Sequence, residues 1–391
     1  MDGVLSDMRD GNRILSPDTL SVLVKPASAD CNLACKYCFY ASKQKLYQGS
    51  RRMNRDTLKK MIIQCLDITE KEVWFCWQGG EPTLMGLDFY REAIEIEEKY
   101  RRKEQKVYNT FQTNGLLLDE SWANFLETNN FLVGISLDGP SQFHNIYRVD
   151  RYGNPTHALV LEKIKLLQAH EVQFNVLAVV TDKNSQHPEV VFDFFQGIRV
   201  NYMQFIPCLE IDKRNGLTSF SVDPDSYGNF LRHIFDRWYN DGNPSSYVRE
   251  YEEWLVAYVY GNHPSCIFGR YCNGAPVIEY NGDVYPCDYF VSPHWLLGNI
   301  NSVSLERILN TKLYQRFRMK KQNLDKRCLN CRWLSLCWGG CPKFRLNEKG
   351  EHAKHSYYCS AYKDFHDYSY DKFTYLANKD YEGYPIEKTF H

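Results

Sequence analysis

The chain has 391 residues, 43% of them hydrophobic, enough apolar material for one large α/β domain with an appendage or for two domains. A formal net charge of −1 offers no broad basic surface, which argues against nucleic acid or an anionic membrane as partner. Fourteen cysteines, no apolar leader in the first twenty residues and no apolar run of roughly 18 residues point to a reducing, cytoplasmic setting where thiols ligate metal instead of pairing.

In chain order, 1–18 reads as a polar extension. From there an apolar run, a polar loop and a stretch of helical spacing recur about six times. The pattern predicts strands at 20–25, 73–78, 107–112, 132–137, 173–180 and 202–206, and helices near 55–68, 87–103, 119–129, 156–170 and 187–197. Strands alternating with helices imply right-handed crossovers and a parallel sheet, here a partial (β/α)6 TIM-like barrel over 19–210. Its active loops should follow the carboxyl ends of the strands. A polar linker at 210–225 and amphipathic helices at 227–239 and 248–260 make up a connecting region, 211–262. A cysteine-rich domain is expected over 263–363 and a Tyr- and Lys-rich tail over 364–391.

The loop after the first strand carries Cys31, Cys35 and Cys38 in C-x3-C-x2-C spacing. A [4Fe–4S] cube normally takes four cysteines, so three leave one iron open to a ligand that is not protein. Zinc and a disulfide framework compete, although structural zinc favours paired ligands closed at four. After strand two, Gln78-Gly79-Gly80-Glu81-Pro82 permits close backbone approach to a ligand, and its proline stops further pairing. Thr113-Asn114-Gly115 follows strand three, and Ser136-Leu137-Asp138-Gly139-Pro140 follows strand four. Arg148, a permanent planar cation, either clamps a carboxylate or carbonyl of a ligand or pairs with Asp138 or Asp150. His144 reads as a satisfied loop histidine.

Beyond 265 the cysteines crowd: Cys266-x5-Cys272-x9-Gly282-x4-Cys287, then Cys328-x2-Cys331-x5-Cys337-x3-Cys341, then Cys359. Eight cysteines fit two sites of four, and spacing alone leaves zinc and iron–sulfur both open. Cys65, Cys76 and Cys208 sit in apolar contexts and read as small core residues.

The first cysteine run, with Tyr37 before its last cysteine, resembles the signature of the radical S-adenosylmethionine (SAM) enzymes, and the Gly-Gly-Glu-Pro and Thr-Asn-Gly segments resemble elements of that family. The carboxyl-terminal pattern, Gly282 included, resembles their SPASM extension. Within that group the chain is most similar to the anaerobic sulfatase-maturating enzymes, from about 20 to 362. This includes Lys25-Pro26, Cys38-Phe39-Tyr40, Phe131-Leu132-Val133-Gly134 and Tyr285-Pro286-Cys287-Asp288.

The resemblance implies three [4Fe–4S] clusters and SAM as cofactors. Cys31, Cys35 and Cys38 would hold the SAM cluster; Cys266, Cys272, Cys287 and Cys341 the first auxiliary cluster; Cys328, Cys331, Cys337 and Cys359 the second. Tyr37, Gly79, Gly80, Glu81, Asn114, Ser136, Asp138 and Arg148 would form the SAM site, Tyr40 and Gln78 would line the target-residue pocket, and Asp288 would be the base. The implied reaction oxidises a Cys or Ser side chain of a sulfatase to Cα-formylglycine, a 5′-deoxyadenosyl radical removing a Cβ hydrogen. Implied partners are a sulfatase polypeptide with a Cys/Ser-x-Pro/Ala-x-Arg motif and a low-potential electron donor such as flavodoxin or ferredoxin. Two rival readings are a SPASM maturase that modifies or crosslinks a ribosomally made peptide, and a zinc-stabilised binding module.

Overall fold

The computed structural model describes residues 18–212, 214 and 216–379. Apart from Asp18, the expected extension over 1–18 lies outside them, as do positions 380–391 of the expected tail. The first part of the chain runs β1 (Thr19–Lys25), α1 (Arg55–Ile68), β2 (Glu72–Trp77), α2 (Leu87–Tyr100), β3 (Lys106–Thr113), α3 (Glu120–Thr128), β4 (Leu132–Ser136), α4 (Ser141–Tyr147), α5 (His157–Ala169), β5 (Phe174–Val180), α6 (Pro188–Gly197) and β6 (Tyr202–Pro207). Every strand and helix expected over this stretch is present, with ends shifted by up to three residues. Besides three short 3-10 turns, the addition is α4, which turns the expected loop around His144 into a short helix.

The second part runs β7 (Ile211–Asp212), β8 (Gly216–Leu217), α7 (Pro224–Tyr239), β9 (Tyr247–Val248), α8 (Arg249–Tyr260), β10 (Val277–Glu279), β11 (Asp283–Tyr285), β12 (Gly298–Asn299) and, after short helical turns, α9 (Cys359–Asn378). The stretch expected as linker therefore holds the β7–β8 hairpin and the start of α7. Asp223 caps α7 by accepting from Ser226 N, and Pro224 fits the first turn, where no amide hydrogen is needed. No helix among the described residues is long and apolar enough to cross a membrane.

The described residues fall into two compact units. The first gathers 18–30, 40–111 and 274–318. Here β1, β2 and β3 run parallel, Leu20 opposite Val73 and Val73 opposite Val107. On its other side β1 pairs in parallel with β10, and β11 and β12 continue antiparallel. Helix α1 buries Leu58, Met61, Ile62, Cys65 and Leu66, a stripe of 3–4 spacing that explains why these residues form a helix with one covered face. Asn54 starts it, its side chain accepting from Thr57 N at 2.8 Å.

The second unit gathers 31–39, 112–273 and 319–379. Its strands β4, β5 and β6 are parallel, Val133 opposite Phe174 and Val176 opposite Met203, and β9 extends them beside β6. The tail expected from 364 is corrected by α9, whose Phe365, Ser369, Phe373 and Leu376 form a buried face. Phe365 and Phe373 pack on Phe235 of α7, and Phe365 stacks on Tyr251 of α8. Tyr368, Tyr370 and Tyr375 lie exposed on this helix, and large aromatic residues on both faces masked its helical period.

Candidate active site and cluster-ligating cysteines

In the second unit the three-cysteine loop is tied down by its backbone. Ala34 N donates to Val149 O at 2.9 Å and Lys36 N to Tyr147 O at 3.0 Å. Cys38 N donates to Cys35 O at 3.1 Å, closing a turn that brings the two thiols onto one short arc. Asn114, from the turn after β3, donates to Asn32 Oδ1 at 2.7 Å, with Cys31 Sγ 3.6 Å away.

Asp138, after β4, is the loop's anchor. Its carboxylate accepts from Arg148 Nε and Nη2 at 3.0 and 3.1 Å, from Val179 N at 2.9 Å and from the Tyr37 hydroxyl. Of the two roles left open for Arg148, the structure shows the ion pair, as a buried two-point fork that also lies over the Tyr37 ring. Asp138 thus spends its acceptors on the protein and fixes the aromatic residue between Cys35 and Cys38. Burial pushes the Cys35 thiol up to about 11 against the pull of Arg148. Ser136 Oγ accepts from Gln112 at 3.2 Å. His144 faces Thr156 Oγ1 at 3.1 Å, and burial lowers its pKa to about 3, which keeps the ring neutral.

The first unit holds the Gly-Gly-Glu-Pro turn. Gly80 N donates to Ser28 O and Glu81 N to Asp30 O, both at 2.7 Å. A Cβ on Gly80 would stand 2.0 Å from Asp30 O. At Gly80 the chain's own backbone at 28–30 makes a close approach that leaves no room for a Cβ. Arg51 and Arg52 hold that segment through Asp30. Glu81 Oε1 caps the next turn, accepting from Thr83 N at 3.1 Å and Thr83 Oγ1 at 2.6 Å. Gly80→Ala is expected to destabilise the fold by about 3 kcal/mol, the upper end for overpacking, because the obstacle is backbone. A melting temperature unchanged from that of the unsubstituted protein would refute this account of the glycine.

The same unit gathers a polar group around Lys25, at the end of β1 and 1% exposed. Its ammonium donates to Gln78 Oε1 at 3.0 Å, lies 4.3 Å from the centre of the Tyr40 ring and stands 3.9 Å from Asp288 Oδ2. The Tyr40 hydroxyl donates at 2.5 Å to Glu279 of β10. Burial raises the Glu279 pKa, opposed by the Tyr40 hydrogen bond and by the Lys25 charge. Asp288 follows Cys287, its Oδ1 3.6 Å from the Cys287 sulfur, and its side chain is 18% exposed. Three residues singled out from sequence, Tyr40, Gln78 and Asp288, are therefore joined by Lys25, whose part sequence reasoning missed. The available signal was a lysine ending an otherwise apolar strand.

Of the carboxyl-terminal cysteines, seven lie in the second unit and Cys287 in the first. Cys331 N donates to Cys328 O at 3.1 Å, Cys337 ends a helical turn and Cys359 opens α9. Among the described residues no three Cys, His, Asp or Glu side chains converge on a single-ion position. Two cations lie among these cysteines, Lys321 at 1% and Arg345 at 3% exposure. Lys321 donates to the carbonyls of Cys266, Ile267 and Gly269, and Arg345 to those of Gly339, Trp338 and Lys321. Among the described residues neither pairs with a carboxylate. An all-sulfur donor set with buried cations beside it fits thiolate-ligated, anionic clusters.

A family profile of the radical SAM superfamily matches residues 26–195, and one of the SPASM iron–sulfur cluster-binding domain matches 266–332. Over 365 residues the chain is 37% identical to a cysteine-type anaerobic sulfatase-maturating enzyme of Clostridium perfringens, covering 92% of this chain and 98% of that one. The chain belongs to the anaerobic sulfatase-maturating enzymes. A serine-type member of the family from Bacteroides thetaiotaomicron is 37% identical over 367 residues, with 88% of each chain covered. The structure of native anSMEcpe with bound AdoMet and Cp18Cys peptide matches with a TM-score of 0.86 and 36% identity, over 92% of this chain and 99% of that one. Membership bears out the radical SAM barrel with its SPASM domain and sets aside the zinc-stabilised binding module.

Proposed function

We propose that the protein oxidises a cysteine or serine side chain of a sulfatase polypeptide to Cα-formylglycine. The observation that carries the reading is the group in which Lys25 holds Gln78, Tyr40 and the Asp288 carboxylate next to Cys287. Family membership supports the cofactor set of SAM and three [4Fe–4S] clusters, with a low-potential donor such as flavodoxin or ferredoxin supplying electrons.

Cys31, Cys35 and Cys38 hold the first cluster in this reading, with Tyr37 fixed behind them by Asp138 and Arg148. When bound, cluster and SAM supply a 5′-deoxyadenosyl radical. Gly79, Gly80, Glu81, Asn114 and Ser136 belong to the SAM site. That radical would take a Cβ hydrogen from the target residue, and the resulting carbon radical would become an aldehyde (from serine) or a thioaldehyde (from cysteine) by losing one proton and one electron. Water would then hydrolyse the thioaldehyde to the aldehyde with release of hydrogen sulfide. Asp288 accepts the proton; Cys266, Cys272, Cys287 and Cys341, and Cys328, Cys331, Cys337 and Cys359, would hold two clusters that would supply the electron acceptor. Tyr40 and Gln78, each held on its far side by Glu279 or Lys25, orient the target side chain.

Equal identity to a cysteine-type and a serine-type relative calls for both substrates in the test. Anaerobically reconstituted protein, given SAM, a strong reductant and peptides with Cys-x-Pro-x-Arg or Ser-x-Pro-x-Arg, is expected to yield the aldehyde mass on at least one, with one 5′-deoxyadenosine per aldehyde. A crosslinked product without aldehyde, or SAM consumed with both peptides intact, would refute the reading.

A further inference from the structure

Lys321 and Arg345 pose an electrostatic problem. Each is almost fully buried, and the groups that accept their hydrogen bonds are neutral carbonyls. A buried ion without a counter-ion costs several kcal/mol even after relaxation, so a fold that keeps two of them side by side has to supply negative charge nearby. Carboxylates do not supply it among the described residues. The turns that the two cations hold carry cysteines: Lys321 holds the turn that begins at Cys266, and Arg345 the turn between Cys337 and Cys341. As thiols these groups are neutral. As cluster ligands they are thiolates.

We infer that Lys321 and Arg345 are the resident counter-cations of the auxiliary clusters, and that Lys321 raises the reduction potential of the cluster ligated by Cys266, Cys272 and Cys341. The inference rests on the cluster assignment proposed above. Lys321 is matched to that cluster because its ammonium donates to the carbonyls of Cys266, Ile267 and Gly269, the turn that opens on one of the three ligands. Arg345 donates to the carbonyls of Trp338 and Gly339, between Cys337 of one set and Cys341 of the other. A cluster becomes more negative by one unit when it gains an electron, so a fixed cation beside it stabilises the reduced form more than the oxidised one. In the proposed reaction that cluster is where an electron from the substrate carbon radical can go. The substrate is oxidised by one electron, the cluster reduced by one, and the proton leaves to Asp288. A buried cation at the acceptor makes that transfer easier.

The test uses the full chain with Cys31, Cys35 and Cys38 replaced by Ala, so that only auxiliary clusters load, and follows a redox titration by electron paramagnetic resonance. Lys321→Gln keeps a donor for the carbonyls and removes the charge; Lys321→Arg keeps the charge. With Gln, the more affected cluster should be at least tenfold harder to reduce, about 59 mV for one electron, while Arg stays near the unsubstituted potential. A Gln variant that loads iron fully and titrates at the unsubstituted potential overturns the inference. Should Gln fail to load while Arg loads, charge compensation is needed for assembly and the inference stands; should both fail, Lys321 merely shapes its turn and the inference falls. No peptide enters the measurement, so a peptide left unoxidised in the earlier assay refutes the reaction and leaves this result intact. Failure of the unsubstituted chain to bind auxiliary iron refutes the cluster assignment itself.

Discussion

Cys35→Ala is expected to abolish SAM cleavage, lowering 5′-deoxyadenosine formation at least a thousandfold, or about 4 kcal/mol in the barrier. As proposed, the first cluster would have three protein sulfurs, Cys31, Cys35 and Cys38, and no spare. Cys35 stands at the middle of the arc, its carbonyl accepting from Cys38 N and its side chain packed beside Tyr37, Tyr147 and Cys208. No other described sulfur is assigned to that loop, and alanine offers neither charge nor lone pair to replace it. Iron content provides the internal control. About twelve irons per chain are expected for three cubes, and the variant should retain about eight if the SPASM domain is intact. Deoxyadenosine formed by the variant at a rate within tenfold of the unsubstituted protein would remove Cys35 from the ligand set.

Much of the frame was legible because its signals are local. Leu58, Met61, Ile62, Cys65 and Leu66 announce α1 by spacing alone, and the cysteine spacings announce their loops. What was illegible depends on distant partners. Strands β10 to β12 are two or three residues long, too short to show a period, and exist because β1 offers an edge for β10. Gly80 owes its identity to the carbonyl of Asp30, fifty residues earlier in sequence. Arg148 had both Asp138 and Asp150 as acid partners on paper, and the structure pairs it with Asp138 through a buried two-point fork. Lys25 and Lys321 look like ordinary charges in sequence. Only burial, together with Asp288 and Gln78 in one case and cysteines in the other, marks them.

Asp288→Asn is expected to separate two halves of the reaction. The amide keeps the size of the carboxylate and much of its hydrogen-bonding shape but cannot take a proton at neutral pH. Formation of 5′-deoxyadenosine precedes any need for a base, so it should stay within about tenfold of the unsubstituted rate. Aldehyde should fall by about 10² to 10⁴, the usual contribution of a positioned general base. The ratio of deoxyadenosine to aldehyde, one to one in the unsubstituted protein, should rise accordingly. The change also removes a negative charge 3.9 Å from the buried Lys25 ammonium, which holds Gln78 and faces Tyr40. If Asp288 acted only by positioning Lys25, the target side chain would be misplaced before hydrogen abstraction, and deoxyadenosine and aldehyde would fall together. Lys25→Met provides the complementary case, since it disturbs Gln78 and Tyr40 while leaving the carboxylate in place. Coupled loss is expected there and uncoupled loss in Asp288→Asn. The same coupled loss in both variants would strip Asp288 of its role as proton acceptor, because a base that acts after the radical step cannot slow the step before it.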